Sequence, residues 1–394
     1  MKIIITAIVA GVVIFLWGAT KGYKNLPIIR GLGVDLYLRD NTLDASSTIV
    51  KKATSTEMSS TTERIVTHIK TPKNVKAVYM SSWVAGTPSI RSKIVKLIDT
   101  TELNAVVIDV KDNTGIISWN GRIRDIESFI DELHAKNIYV IARIAAFQDP
   151  LYVKLHPDKA VRSKKTGEVW RDYKGVPWVD TGDREMWRYI ERLSKQSYAK
   201  GFDEINLDYI RFPTDGVISD MVFPISGERA KLHKADIVSE FYHFITDSLR
   251  KDSITVSGDI FGIVMITKVD ISTLGQDMHT ALETFDYVSP MVYPSHFYAG
   301  TAGYQNPAMH PGEIIAYSMK FGIDIADEVA SSTGQATSTI RAKYRPFYQD
   351  FDMGGVYTAE MVRAQIDAGY KLGIKSWMLW DPANKYTPAA LKKD

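Results

Sequence analysis

Two aspartates near the ends of apolar, β-rich runs are the residues of this 394-residue chain best placed to do chemistry. Asp208 lies late in the run Glu204–Ile210, and Asp259 lies late in the run Ile254–Ile260. Residues two apart share a strand face, so each aspartate should lie opposite the apolar residues of its strand. A face with acids suits the polar mouth of a barrel better than a packed layer. The alternatives are an Asp208 that caps a loop or pairs with Arg211, and an Asp259 that forms a turn between glycines.

Other polar and aromatic residues at predicted strand ends are candidates for substrate binding. They are Asp109, Arg143, Asn206, Arg211, Tyr293, His296, Gln349, Trp380 and Asp381. Carboxyl groups with aromatic rings suit glycoside hydrolysis, in which one acid protonates the leaving oxygen and one carboxylate attacks carbon or activates water. Asp109 and Asp381 could equally be structural, Tyr293 and Trp380 could fill the barrel, and His296 could be a hydrogen-bonding loop residue.

From Asn74 onward, short β-rich runs alternate with amphipathic helical stretches, as in a parallel α/β domain. The eight predicted strands are Val75–Ser81, Ala105–Val110, Ile138–Ile144, Glu204–Ile210, Ile254–Ile260, Tyr287–Tyr293, Ala342–Tyr348 and Ser376–Trp380. The seven predicted helices are Ile90–Asp99, Ile123–Lys136, Glu185–Lys200, Glu228–Lys251, Ser272–Glu283, Gly312–Ile325 and Ala359–Leu372. Eight such units favour a closed (β/α)8 TIM barrel. Long loops after strands three, four and six would form its specificity elements.

The amino-terminal part of the chain has a different composition. The apolar run from Ile3 to about Ala19 predicts an uncleaved transmembrane anchor over residues 1–20, with a buried core helix as the alternative. Residues 21–73 contain a Ser/Thr-rich stretch that predicts a flexible stalk, and residues 74–394 form the predicted catalytic domain. We expect that domain to lie outside the cytoplasm, although basic residues after the apolar run argue weakly against export.

Composition narrows the classes of function further. The chain has 48 basic and 46 acidic residues, so a net charge of +2 gives no argument for a nucleic-acid partner. It has no cysteine, which excludes disulfides, thiolate metal sites and cysteine nucleophiles. Eight scattered histidines show no spacing typical of a zinc site. We therefore expect neither a cofactor nor a metal.

Six segments together resemble a bacterial family described as a "putative glycosyl hydrolase domain", which comprises glycoside-hydrolase-like TIM barrels. The segments are Val75–Met80, Val107–Asp112, Tyr139–Arg143, Glu204–Pro213, Ser257–Gly262 and Arg345–Asp350, within residues 74–385. A more distant resemblance is to the α-amylase-type arrangement, which implies Asp208 as the nucleophile and Asp259 as the proton donor. The donor in that arrangement is a glutamate, and Asn206 stands where it has an arginine.

These observations lead to a membrane-anchored glycoside hydrolase as the leading hypothesis, with a cell-envelope or extracellular polysaccharide as its substrate. The main alternative is a glycan-binding barrel without catalysis that has a structural role in the envelope. A third possibility is a metal-dependent hydrolase or deacetylase that uses Asp109, Asp112 and His296.

Overall fold

The computed structural model describes residues 64–393, and eight parallel strands close into a barrel at its centre. The strands are β1 (Lys76–Met80), β2 (Ala105–Lys111), β3 (Tyr139–Ala145), β4 (Glu204–Asp208), β5 (Thr255–Phe261), β6 (Tyr287–Met291), β7 (Phe347–Gln349) and β8 (Trp377–Trp380). Neighbours along the chain pair with each other, and β8 pairs with β1 to close the barrel. The predicted (β/α)8 architecture is confirmed.

Seven helices connect successive strands on the outside of the barrel. They are α1 (Pro88–Asp99), α2 (Ile126–Ala135), α3 (Arg184–Ala199), α4 (Lys234–Lys251), α5 (Met278–Thr284), α6 (Pro311–Thr333) and α7 (Ala359–Lys371). Five further short helices lie in the loops: Ser82–Ala85, Pro150–Leu155, Arg229–Leu232, Lys268–Leu274 and Thr337–Arg341. The loops after β3 and β4 also join in a two-stranded antiparallel ribbon, Arg162–Ser163 with Met221–Val222.

Some element limits differ from those that the sequence predicts. The seventh strand is short because only Phe347 of β7 pairs with β6. Tyr344, three residues earlier, forms one isolated bridge to β6. Pro346 between them has no N–H to donate. The helix predicted over Ser272–Glu283 is divided at Gly275, which adopts a left-handed conformation with φ of 77°.

Strand β4 shows how the alternation of residue types builds the barrel. Ile205 and Leu207 face outward into the core shared by strands and helices. Glu204 faces inward, and its carboxylate accepts hydrogen bonds from Arg345 at 2.7 Å and Tyr139 at 3.0 Å. The Glu204 carboxylate on the polar inner face that the sequence predicts is therefore buried and paired, as burial of a carboxylate requires.

The segment before β1 packs against the amino-terminal ends of the strands. Arg64 donates to Asp131 at 2.5 and 3.0 Å, and the backbone N–H of Ile69 donates to Asp203 at 2.7 Å. Contacts with the barrel thus begin before residue 74, where the sequence places the domain boundary. The predicted anchor and residues 21–63 of the predicted stalk lie outside the described residues. Within residues 64–393, no helix is both long and apolar enough to cross a membrane.

Candidate active site

Arg143 on β3 links three carboxyl groups at the carboxyl-terminal end of the barrel. Its Nη1 donates to Asp109 Oδ1 at 2.5 Å, and its Nη2 donates to Asp208 Oδ2. Its Nε lies 3.9 Å from Asp259 Oδ2. The guanidinium also lies 4.9 Å from the ring of Trp380. Charge-assisted hydrogen bonds of this kind fix the positions of the carboxyl groups they hold.

The strand register explains how this arginine reaches Asp208. Arg143 of β3 is the register partner of Asn206 of β4. The neighbouring strand therefore supplies the guanidinium that binds Asp208. The alternative pairing of Asp208 with Arg211 is wrong, because Arg211 donates to Asp215 at 2.8 Å.

Asp208 and Asp259 lie side by side on adjacent strands. They follow Leu207 and Gly258, which are register partners between β4 and β5, and neighbouring strands are about 4.8 Å apart. The backbone N–H of Tyr209 donates to Asp208 Oδ1 at 2.6 Å. Tyr209 has a φ of 54°, an uncommon value for a bulky residue, so the chain turns sharply where β4 ends.

Asp259 lies deeper than Asp208 and is held by one side chain. Asn206 Nδ2 donates to Asp259 Oδ1 at 2.8 Å and to Ser257 Oγ at 3.1 Å. Asp259 Oδ2 lies on the side of Arg143 Nε, and the residue lines the pocket. Burial, followed by the charge of Asp208, raises the pKa of Asp259 well above its usual value. The site thus combines an ion-paired carboxylate with a neighbouring carboxyl group that favours its protonated form.

A pocket with a volume of about 70 Å³ opens above these residues. Six of the residues that the sequence predicts for the site line it: Arg143, Asp208, Arg211, Asp259, Tyr293 and Trp380. Arg211 is sandwiched among aromatic rings, with its guanidinium 4.8 Å from both Trp178 and Phe261. The walls therefore combine charged groups with aromatic side chains.

Two further predicted residues act behind the pocket rather than on its wall. Asp109 accepts hydrogen bonds from Arg143 and, at 2.5 Å, from the Tyr79 hydroxyl. Burial raises the pKa of Asp109, and the neighbouring Arg143 lowers it by a smaller amount. Asn206 holds Asp259, as described above. Both side chains position groups that line the pocket.

Three predicted residues form hydrogen bonds to loop residues instead, with Gln349 at the end of β7 and the other two within loops. Gln349 Oε1 accepts from the backbone N–H of Ser295 at 3.1 Å, and Asp381 accepts from backbone N–H groups of its own loop. His296 bonds Ser295 Oγ through Nδ1 at 2.9 Å, and burial lowers its pKa to about 3. These side chains shape the loops and do not line the pocket.

Sequence reasoning missed four polar residues that line the pocket. Gln148, Asp172 and Lys174 belong to the loop after β3, and Asp215 belongs to the loop after β4. The sequence indicated only that these loops are long. No periodicity encodes which of their residues turn back over the barrel, so loop length was the one available signal.

The residues of the possible metal site are not brought together. Asp109 is engaged with Arg143 and Tyr79, whereas Asp112 accepts from Arg122 at 2.9 Å. Across residues 64–393, no group of three or more histidine, aspartate or glutamate side chains is arranged to hold a metal ion.

Comparison with known proteins agrees with this geometry. Residues 77–386 match the model of the family described as "Putative glycosyl hydrolase domain". The chain belongs to this family. Among solved structures, the PgaB (BpsB) glycoside hydrolase domain of Bordetella bronchiseptica has a TM-score of 0.55 and 13% identity, over 78% of this chain and 94% of that one.

Two other solved structures illustrate the range of similarity. A hypothetical protein from Ruminiclostridium thermocellum is 30% identical over 46% of this chain and 96% of that chain, with a TM-score of 0.40. The catalytic domain 2 of the Ostrinia furnacalis Group II chitinase is 11% identical over 81% of this chain and 95% of that chain, with a TM-score of 0.49. A search of curated proteins found no match.

Proposed function

We propose that this protein is a glycoside hydrolase that cleaves a cell-envelope or extracellular polysaccharide through Asp208 and Asp259. The observation that carries the proposal is the pairing of these two carboxyl groups in one pocket. One is ion-paired with Arg143, and the other is buried with a raised pKa. Glycosidases need this division into a carboxylate and a carboxylic acid. Family membership supports the same reaction class.

The proposed roles follow from the two environments. The Asp208 carboxylate attacks the anomeric carbon as the glycosidic C–O bond breaks. Asp259 gives its proton to the leaving oxygen, so the leaving sugar departs as a neutral alcohol. Asp259 then takes a proton from water, which attacks the anomeric carbon and releases Asp208. Carboxyl groups on adjacent strands are close enough for this retaining route, which uses a separation of about 5–5.5 Å.

The remaining pocket residues have supporting roles in this proposal. Arg143 orients Asp208 and balances its charge, while Asn206 holds Asp259 with Oδ2 facing the substrate. Trp380 and Tyr293 line the pocket and supply apolar ring surface beside the bound sugar. We also propose an extracytoplasmic location, which the apolar run at residues 3–19 supports. A reporter fused after Asp394 tests it, and a cytoplasmic signal would overturn it.

The proposed activity is tested by release of reducing ends. The full chain, purified in detergent, is incubated with peptidoglycan glycan strands, poly-N-acetylglucosamine, chitin oligosaccharides and a neutral glucan. Asp208→Asn and Asp259→Asn are compared with Asp247→Asn, a control on α4 whose side chain is 64% exposed. We expect release by the wild type and the control and loss in both site variants. Binding without release, unchanged in both variants, would instead establish a glycan-binding barrel.

A further inference from the structure

Gln148 presents an unsatisfied hydrogen-bond acceptor in the candidate active site. It follows β3, is only 3% exposed, and lines the same pocket as Asp208 and Asp259. Within residues 64–393, its Oε1 atom is buried and has no hydrogen-bond partner. Buried polar atoms are nearly always hydrogen-bonded, so an unpaired oxygen on a residue that lines a pocket is a candidate contact for a bound group.

The orientation of the Gln148 amide is determined by its neighbour. Its Nε2 donates to Asp172 Oδ2 at 2.9 Å. Asp172 Oδ2 also accepts a hydrogen bond from Trp178 Nε1, a group that can only donate, so this oxygen acts as an acceptor and the Gln148 amide nitrogen faces it. Exchanging the amide oxygen and nitrogen of Gln148 would lose the bond to Asp172, so the unpaired atom is the oxygen.

Asp172 is itself held firmly enough to impose that orientation. Its Oδ1 accepts from the backbone N–H groups of Lys174 and Val176, each at 2.9 Å. Its Oδ2 accepts from Trp178 Nε1 at 3.3 Å as well as from Gln148. The loop after β3 thus fixes the Gln148 amide with Nε2 toward Asp172 and leaves Oε1 as an unused acceptor on a residue that lines the pocket.

This acceptor defines the chemistry of the group that it would bind. A sugar hydroxyl or the N–H of an acetamido group can donate to Oε1. A sugar carboxylate or phosphate offers only acceptors and would be rejected there. Sites built to hydrogen-bond a particular group discriminate strongly against analogues that lack it, because a buried partner is then left unpaired.

We propose that Gln148 is a specificity-determining residue that accepts a hydrogen bond from a hydroxyl or acetamido N–H of the sugar bound beside Asp208 and Asp259. Asp172 is the positioning residue that keeps the acceptor turned toward that sugar. The inference rests on the proposed function, because it assumes that the pocket binds a glycan.

The test measures binding of the four glycans named above to the full chain by isothermal titration calorimetry. Where the wild type cleaves a glycan, binding of that glycan is measured in variants that also carry Asp208→Asn, so that no cleavage occurs. Gln148→Met keeps the length of the side chain and removes the acceptor. Gln196→Met is the matched control, because Gln196 is exposed on α3. We expect roughly 5- to 10-fold weaker binding in Gln148→Met and no change in the control.

A second variant tests the positioning role separately. Asp172→Asn keeps an oxygen for the backbone N–H groups and turns an NH₂ group toward Gln148. The Gln148 amide should then rotate and present a donor to the pocket. We expect Asp172→Asn to weaken binding by a similar factor, and the double variant Gln148→Met/Asp172→Asn to weaken it no further. A residue with a merely structural role would give additive losses.

The outcomes separate this inference from the proposed function. Weaker binding in Gln148→Met without any release of reducing ends by the wild type would overturn the hydrolase and support the subsite. A second outcome would be cleavage that needs Asp208 together with binding by Gln148→Met within twofold of the protein without that substitution. This result would overturn the proposed role of Gln148 and leave the proposed hydrolase activity standing. Binding of none of the four glycans by the wild type would overturn the inference. Thermal unfolding of each variant identifies losses that come from misfolding.

Discussion

Replacing Arg143 by methionine should destabilise the protein strongly and in a pH-dependent way. The guanidinium lies among Asp109, Asp208 and Asp259. In its ion pairs with Asp109 and Asp208, no side chain is more than 11% exposed. Methionine fills much of the same space but leaves these carboxylates without their cation. Removing one partner of a buried ion pair typically costs about 3–5 kcal/mol, so we expect a loss of that size at pH 7.

The loss should become smaller in acid, because the carboxylates without a cation can take up protons. Urea unfolding of the wild type and Arg143→Met at pH 7 and pH 5 measures both effects. Arg184→Met provides a control, since Arg184 forms an ion pair with Glu240 but is 52% exposed, and exposed pairs contribute about 0–1 kcal/mol. Arg143→Met/Asp208→Asn should recover part of the stability.

One result would refute this reasoning. If Arg143→Met lost less than about 1 kcal/mol, and equally at both pH values, the guanidinium would not be compensating buried charge. The division of Asp208 and Asp259 into a charged and a protonated group would then lose its physical basis.

Three further predictions concern pH, packing and metals. Burial raises the pKa of Asp350 from 3.8 to about 6. As the pH rises through that range, this group therefore lowers the free energy of unfolding by up to about 3 kcal/mol. Asp350→Asn should flatten the dependence of the free energy of unfolding on pH, measured with urea, and an unchanged dependence would contradict this. Gly258→Ala should cost about 1–3 kcal/mol, because a Cβ would lie 2.8 Å from the Phe285 ring; unaltered thermal unfolding would show that the ring can move. Reducing-end release should resist a strong chelator, and loss of activity that zinc restores would favour the metal-dependent alternative.

The fold was predictable because alternation within strands and repetition between them carry the information. In β4, the apolar residues Ile205 and Leu207 against the polar Asn206 and Asp208 identify an outer and an inner face. The ends of helices and strands were less predictable where a single residue determines them. Gly275 ends a helix by adopting a left-handed conformation, and a helical pattern read across it gives one helix instead of two.

The candidate site was predictable only in part, for the same physical reason. Strand ends placed Asp208 and Asp259 together, because parallel strands bring their carboxyl ends to one rim. The bond from Arg143 to Asp208 depends on the register between β3 and β4, which residue types do not specify. The contact between Gln148 and Asp172 depends on the path of a loop, so no pattern in the sequence reveals it.

The most direct test of the central claim compares the two aspartates on substrates that differ in leaving group. Aryl glycosides of the sugar released by the wild type would be prepared with a good and a poor leaving group. If Asp259 is the acid, Asp259→Asn should retain the initial burst of aryl release from the good leaving group, which departs without protonation, and lose release from the poor one. Asp208→Asn should lose activity on both. Equal losses in both variants, or the reverse pattern, would contradict the assignment of nucleophile and acid.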